Sequence, residues 1–198
     1  IAAVAIVLTS FFNYRGVRTG SLVQNVTTLA KYGGLVAIVC LALAIGLPAG
    51  GGAHFVPLVP PGSFGAGAFG LALVSALWAV DGWADLSFVA GEVKDPQRTL
   101  PRALILGTLA VVGIYLLVNV AYLAVLPIGE IARSKLVAAE VAQRLIGPAG
   151  VAFVATTVML STFGTLNGTL LTAPRIFFAM ADDGLFFRKV AAVHPRHG

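Results

Sequence analysis

The sequence predicts an all-α protein that crosses a membrane several times. Of its 198 residues, 58% are hydrophobic and only 11% are charged, whereas a soluble domain carries about 25% charged residues. Three windows, 32–80, 103–129 and 145–174, contain no Asp, Glu, Lys or Arg. Each is longer than the roughly 20 apolar residues that a membrane helix needs. Composition therefore indicates a multi-pass integral membrane protein, and we expect it to reside in a plasma (inner) membrane.

Taken in order, the apolar stretches predict five membrane spans. Their approximate positions are 1–12 (partial), 23–47, 66–90, 103–126 and 149–180. A loop rich in Gly and Pro occupies 48–65. A charged turn at 92–102 contains Pro96 and Pro101, which restrict the helices on either side. The first span is short and the chain stops soon after the last one, so we expect an internal fragment of a longer protein.

One segment differs from the spans by mixing charged and apolar residues at helical spacing. Between 131 and 146, apolar side chains recur every three to four residues, and charged residues occupy the positions between them. This pattern is typical of an amphipathic helix that lies at the membrane surface. Basic residues in the connections then set the orientation. Nine lie on one side, which we expect to be cytoplasmic, and three on the other; the nine are Arg15, Arg18, Lys94, Arg98, Arg102, Arg175, Arg188, Lys189 and Arg196.

The most informative stretch runs from 71 to 102. It begins as an apolar helix and then places Asp81, Gly82 and Asp85 near mid-depth. A carboxylate there costs roughly 2.5–3.5 kcal/mol on insertion scales, and glycine weakens the helix by about 1 kcal/mol relative to alanine. Such an interruption is typical of a broken transporter helix, whose freed backbone groups bind substrate. The alternative is a charge buried against a partner helix for packing.

Lys31 is the other unusual charge, because it lies about a third of the way into an apolar helix. A buried lysine has to find a partner or give up its proton. The alternative is that its side chain reaches back to the nearby basic loop and the cytoplasmic surface.

Three segments resemble amino-acid permeases of the APC superfamily, and most closely their LAT-like branch. They are WAVDGWADLSFVAGEVKDPQRTLPRAL, NYRGVRTGSLVQNVTTLAK and LSTFGTLNGTLLTAPRIFFAMADDGLFFRKVAAVHPRHG. The blocks are similar to helix six and its loop, the connection from helix four into helix five, and helix eight with its extension. The resemblance implies part of a LeuT-type inverted-repeat fold with a broken helix six, covering about the end of helix four to helix eight.

The resemblance also implies roles for individual residues of the predicted broken helix. Trp78 occupies the position of an aromatic gate over the bound amino acid, although it can also simply pack. Ala79, Val80, Asp81 and Gly82 match the unwound stretch whose backbone contacts substrate.

Further roles fall on the helices that resemble helices five and eight. Lys31 matches a lysine that stands near the sodium position of related carriers, with Ser161 as an acceptor, so both are candidates for ion coupling. Thr162 and Thr165 are candidates for substrate contact. Hydroxyls in membrane helices equally often bond to their own backbone or to a neighbouring helix.

The predicted function is secondary transport of L-amino acids by alternating access. Sodium independence is expected, with a proton or a second amino acid as the coupled species. The alternative is a membrane sensor or receptor on the same fold that binds an amino acid without moving it. We predict no enzyme activity, cofactor, metal or nucleic-acid partner. Which amino acid is carried and whether a partner subunit is needed stay open at this point.

Overall fold

The computed structural model describes residues 2–57, 59, 62 and 64–192. Within them the α-helices, in chain order, are α1 Ala2–Tyr14, α2 Val17–Leu41, α3 Ala66–Ala79, α4 Asp85–Phe88, α5 Pro96–Leu123, α6 Ile128–Ile131, α7 Val137–Ile146 and α8 Pro148–Asp182. A π-helix at Ala42–Gly46 continues α2, and 3-10 segments lie at Gly51–Phe55, Ala90–Glu92 and Arg188–Ala191. No strand occurs among these residues. Residues 1, 58, 60, 61 and 63 of the predicted first span and loop lie outside the described part, as does Arg196.

Three helical stretches are long and apolar enough to cross a membrane. They are Arg18–Gly46, Pro96–Leu123 and Pro148–Asp182. Two shorter apolar helices, Ala2–Tyr14 and Ala66–Ala79, accompany them. The prediction of an all-α polytopic membrane protein is therefore confirmed.

The helix after the charged turn begins at Pro96 rather than near residue 103. A proline at the first helical position costs nothing, because the first amides of a helix have no partner within it. The carbonyl of Asp95 accepts bonds from the amides of Arg98 and Thr99 at 3.2 and 2.9 Å, which closes the first turn. Pro101 lies inside α5 without ending it.

The amphipathic segment is shorter than its pattern suggests. It forms the single turn α6 and then α7, which begins at Val137 rather than at residue 131. Between them the side-chain oxygen of Ser134 accepts a bond from the amide of Leu136 at 3.2 Å. Serine that bonds nearby backbone in this way competes with helix formation. Gly147, with φ +66°, then ends α7.

The chain divides into two compact units. The polar unit comprises the described residues of Ile1–Lys31, Gly82–Ile105 and Val158–Gly198. The apolar unit comprises those of Tyr32–Asp81 and Leu106–Thr157.

The polar unit is held together by an amide cluster. Asn167 of α8 is fully buried, and its Nδ2 donates to the carbonyl of Gly20 and to Oε1 of Gln24, both at 3.1 Å. Asn13 Nδ2 donates to Asn167 Oδ1 at 3.0 Å and to the Thr9 carbonyl at 2.9 Å. These bonds join α1, α2 and α8, as polar side chains commonly do between membrane helices.

The apolar unit has a core of aliphatic side chains. Val39 and Ala42 pack with Val118 and Ala121 of α5. At the end of this core, Val141 of α7 is fully buried, and α7 packs against the π-helix Ala42–Gly46. The core therefore joins the end of α2, the end of α5 and the amphipathic helix.

Candidate functional site

The broken helix ends at Ala79, inside an apolar stretch. The next α-helix, α4, begins only at Asp85, so the chain between them forms turns. Gly82 adopts φ +98° there, a left-handed conformation that residues with a side chain rarely accept. If the helix had resumed directly after Gly82, Asp81 and Asp85 would lie one turn apart on it. They do not lie on one continuous helix, because α4 begins only at Asp85.

Hydrogen bonds around the break change from helical spacing to turn spacing. The amides of Val80 and Asp81 donate to the carbonyls of Leu77 and Trp78, each at 3.2 Å. The bonded residues are three apart rather than four, which tightens the last turn of a helix that is about to stop.

A side chain binds the carbonyl at the end of α3. The phenolic oxygen of Tyr115 in α5 donates to the Ala79 carbonyl at 2.9 Å. In a continuous helix the amide of Trp83 would occupy that position, four residues further along. Tyr115 therefore replaces the missing helical bond at the first carbonyl of the break.

A cavity of about 530 Å³ adjoins the break inside the apolar unit. Its walls are mostly aliphatic. The lining residues are Leu35, Ala76, Ala79, Val80, Val112, Tyr115, Leu116, Val118, Asn119 and Tyr122. Two residues of the predicted unwound stretch, Ala79 and Val80, thus face a hollow next to α5.

Sequence reasoning missed the polar residues of α5 that line this cavity. Tyr115, Asn119 and Tyr122 are spaced by four and three residues, so they share one face of the helix. That spacing was visible in the apolar stretch IYLLVNVAYL and is the signal that would have found them.

The predicted gate, Trp78, projects from a helix without buried residues. Its side chain is 82% exposed, and α3 contains no buried residue at all within the described chain. Asp81 and Asp85 are also exposed. Neither carboxylate forms an ion pair with a described residue. Packing against other described elements therefore does not account for Trp78 or for the two acids.

The predicted ion-coupling and helix-eight residues lie in the polar unit. Lys31 of α2 and Ser161 of α8 are half-buried, while Thr162 and Thr165 are exposed. The hydroxyls of Thr162 and Thr165 donate to the carbonyls of Val158 and Ser161 at 2.9 and 3.1 Å. Their protons are thus used within α8, and their oxygens keep lone pairs that accept bonds.

The nine predicted site residues fall into two groups. Trp78, Ala79, Val80 and Asp81 are consecutive in the apolar unit. The polar unit contains the other five, which are Gly82, Lys31, Ser161, Thr162 and Thr165. Across the described residues, no group of three or more His, Cys, Asp or Glu side chains is placed to hold a metal ion.

The polar unit also contains an ion pair that sequence reasoning missed. Arg175 of α8 donates from Nε to Glu92 Oε1 at 2.6 Å and from Nη2 to Oε2 at 3.0 Å. This paired geometry is the one in which a guanidinium binds a carboxylate most specifically. It links the 3-10 segment Ala90–Glu92, which follows the break, to α8.

An apolar multi-pass chain with a helix interrupted after Ala79 is typical of membrane carriers. The sequence model of the amino acid permease family matches residues 1–198, so the chain belongs to that family. The predicted resemblance is confirmed, as is the multi-pass membrane class.

Individual relatives agree with this assignment. The chain is similar to the human b(0,+)-type amino acid transporter 1, at 35% identity over 99% of this chain and 40% of that protein. The serine/threonine exchanger SteT of Bacillus subtilis is 35% identical over 98% of this chain and 44% of its own length. The mouse large neutral amino acids transporter small subunit 2 is 30% identical over 99% and 37%. The chain thus spans about 40% of the length of the curated relatives it matches.

Proposed function

We propose that the full-length protein moves L-amino acids across a membrane by alternating access, without sodium. Exchange of one amino acid for another, or cotransport of a proton, supplies the driving force. Family membership supports carriage of amino acids, and one similar protein is named as an exchanger.

The observation that carries this proposal is the break after Ala79. The C-terminal end of a helix presents carbonyl oxygens with partial negative charge, which suit an ammonium group. With the Ala79 carbonyl bonded to Tyr115, the carbonyls of Val80 and Asp81 are the next acceptors along the break. Trp78 lies two residues before Val80 and serves as the aromatic cover over the bound amino acid.

Asp81 sets the charge preference of this site in our proposal. Its carboxylate is exposed next to the substrate-facing backbone, and a second anion close to it would be repelled. The full-length protein should therefore accept neutral or cationic amino acids and reject glutamate. Competition for uptake among leucine, arginine and glutamate tests this, and strong inhibition by glutamate alone would overturn it.

Lys31 and Ser161 perform the coupling in our proposal. An ammonium group at the position used by sodium in related carriers supplies the same positive charge, and its proton can be exchanged. The hydroxyls of Ser161 and, at the substrate side, Thr162 and Thr165 offer oxygen lone pairs as acceptors.

Uptake into proteoliposomes tests the proposed function directly. The full-length protein is reconstituted, and uptake of labelled amino acid is measured with and without sodium, from pH 5 to 8, into empty and amino-acid-loaded vesicles. We expect uptake without sodium. Stimulation by an internal amino acid indicates exchange, and stimulation by an inward proton gradient indicates cotransport. Binding of amino acid without any uptake would favour the sensor.

Lys31→Ala separates coupling from recognition. We expect the variant to lose the pH dependence of uptake and to keep part of its substrate binding. Lys135→Ala is the matched control, because it removes a lysine from an exposed position between α6 and α7. A strict sodium requirement in the parent, or an unchanged pH profile in Lys31→Ala, contradicts the coupling role.

A further inference from the structure

We propose that Tyr115 is the positioning residue of the broken helix and that its hydroxyl determines how well the site recognises the substrate's ammonium group. This inference rests on the proposed function, because it assigns a task within the same site. The observation that carries it is the bond of 2.9 Å from the Tyr115 hydroxyl to the Ala79 carbonyl, the last one of α3.

The bond matters because a broken helix competes with a continuous one. In an unbroken helix the Ala79 carbonyl would accept the amide of Trp83, and the carbonyls that follow would accept later amides in turn. Tyr115 gives the Ala79 carbonyl another partner, so the interruption does not leave that carbonyl unsatisfied in an apolar region. Gly82 contributes separately by adopting φ +98°.

Fixing the Ala79 carbonyl also fixes the peptides that follow it. Val80 and Asp81 lie in turns closed on Leu77 and Trp78, and the direction of their carbonyls depends on where α3 stops. A carbonyl binds an ammonium group well only if it already points to the right place, because reorientation on binding reduces affinity. Tyr115 therefore acts through the backbone and need not contact the substrate.

The surroundings of Tyr115 allow this task to be tested with one atom. Its ring lines the cavity beside Ala79 and Val80, so Tyr115→Phe keeps the ring and removes only the hydroxyl. Tyr14→Phe is the control. It deletes the same group from a 63% exposed residue of α1, outside the candidate site.

The experiment measures equilibrium binding and uptake by the full-length protein in detergent and in proteoliposomes. The ligands are leucine and 4-methylpentanoate, which is leucine without its ammonium group, together with serine and 3-hydroxypropanoate. We expect Tyr115→Phe to raise the Kd and the apparent KM of the better bound amino acid about 3- to 10-fold, because the competent break is populated less often. The maximal rate and the Kd of the des-amino acid should change less than about twofold, the scatter expected when no relevant contact is lost.

These readouts separate positioning from general stability. The informative ratio is the Kd of the des-amino acid divided by the Kd of the amino acid, which the loss of positioning lowers. Loss of stability would lower expression and the maximal rate and would leave this ratio unchanged. If the parent transports and Tyr115→Phe keeps that ratio, the inference is wrong and the proposed function stands. If the parent binds but does not transport, and Tyr115→Phe lowers the ratio, the inference stands and transport fails. A parent that binds no amino acid overturns both.

Discussion

The two compact units differ in what their interiors are made of. The buried polar side chains of the described residues, Thr9, Thr27 and Asn167, all belong to the polar unit. In the apolar unit the buried side chains are aliphatic, with Leu126 and Val141 fully enclosed. The same apolar composition thus builds one interior from hydrogen bonds and the other from close packing.

The difference between the two interiors shows two ways of holding apolar helices together. In lipid, helix association depends on van der Waals contact and on hydrogen bonds between helices, because the surroundings are as apolar as the side chains. The polar unit uses specific side-chain amides. The apolar unit instead packs the ends of α2 and α5 together with α7, and its aliphatic side chains are buried against one another. The two interiors should respond differently to single substitutions.

Replacing Asn167 should have the largest effect on stability. Asn167→Leu removes three hydrogen bonds and leaves the Gly20 carbonyl and the amides of Asn13 and Gln24 without these partners. We expect a loss of about 2–3 kcal/mol, measured as a lower thermal unfolding temperature of the purified protein in detergent.

Thr169→Val is the matched control for Asn167→Leu. Thr169 lies in the same helix, is exposed, and donates only to the Thr165 carbonyl at 3.1 Å. Its replacement should change stability by no more than about 0.5 kcal/mol.

Val141→Ala supplies the comparison with the apolar unit. It removes two methyl groups from a fully buried side chain, which should cost about 1–2 kcal/mol. If Val141→Ala costs more than Asn167→Leu, the distinction between the interiors fails.

Replacement of Gly164 should lower stability less than replacement of Asn167. A methyl group at Gly164 would lie 2.7 Å from Thr27 Oγ1, and that hydroxyl is fixed by a bond of 2.9 Å to the Val23 carbonyl. Gly164→Ala should therefore destabilise the polar unit by about 1–2 kcal/mol.

Gly33 provides the opposite case. It lies in α2, and nothing approaches within 4 Å of the position of an added methyl group. Gly33→Ala should leave stability unchanged or raise it by up to about 1 kcal/mol, since alanine favours the helix. Thermal unfolding of both variants in parallel decides the point, and equal losses would show that close approach to Thr27 does not explain the loss in Gly164→Ala.

The sequence predicted the membrane class and the interruption at Asp81 and Gly82 because both depend on local chemistry. Charge-free windows and a glycine beside an acid are visible without knowing any neighbour. Helix boundaries were less accurate where a local partner decides them. Pro96 starts α5 earlier than expected, and the bond from Leu136 to Ser134 delays α7.

Contacts between distant residues could not be predicted in the same way. Tyr115 and Ala79 are separated by 36 positions, and Asn13 and Asn167 by 154. Nothing in a single sequence states which carbonyl a tyrosine will reach.

In function, the break after Ala79 should contribute to recognition, and Trp78 tests that assignment. Trp78→Ala removes an 82% exposed ring directly before the break, so it should not disturb packing among the described residues. We expect normal insertion and about a tenfold lower uptake rate at limiting substrate, about 1.4 kcal/mol of lost stabilisation. Uptake normalised to surface expression measures this. Trp83→Ala, which alters a 63% exposed ring beyond the break, is the comparison variant, and a parent-like rate in Trp78→Ala contradicts the gate.

The smallest effect should come from the ion pair between Glu92 and Arg175 in the polar unit. Both carboxylate oxygens are bonded, yet the side chains keep 47% and 20% of their exposure, so water and salt weaken the attraction. Glu92→Gln keeps the shape and one acceptor while removing the charge, and should cost about 0.5–1 kcal/mol at low ionic strength.

Thermal unfolding in low salt and in about 1 M salt measures this. At about 1 M the screening length falls to about 3 Å, so the difference in stability between parent and variant should disappear. Glu140 is an exposed acid of α7 that forms no ion pair with a described cation, so Glu140→Gln should show no such salt dependence. A loss in Glu92→Gln as large as that in Asn167→Leu would mean that the segment after the break, rather than the amide cluster, holds the polar unit together.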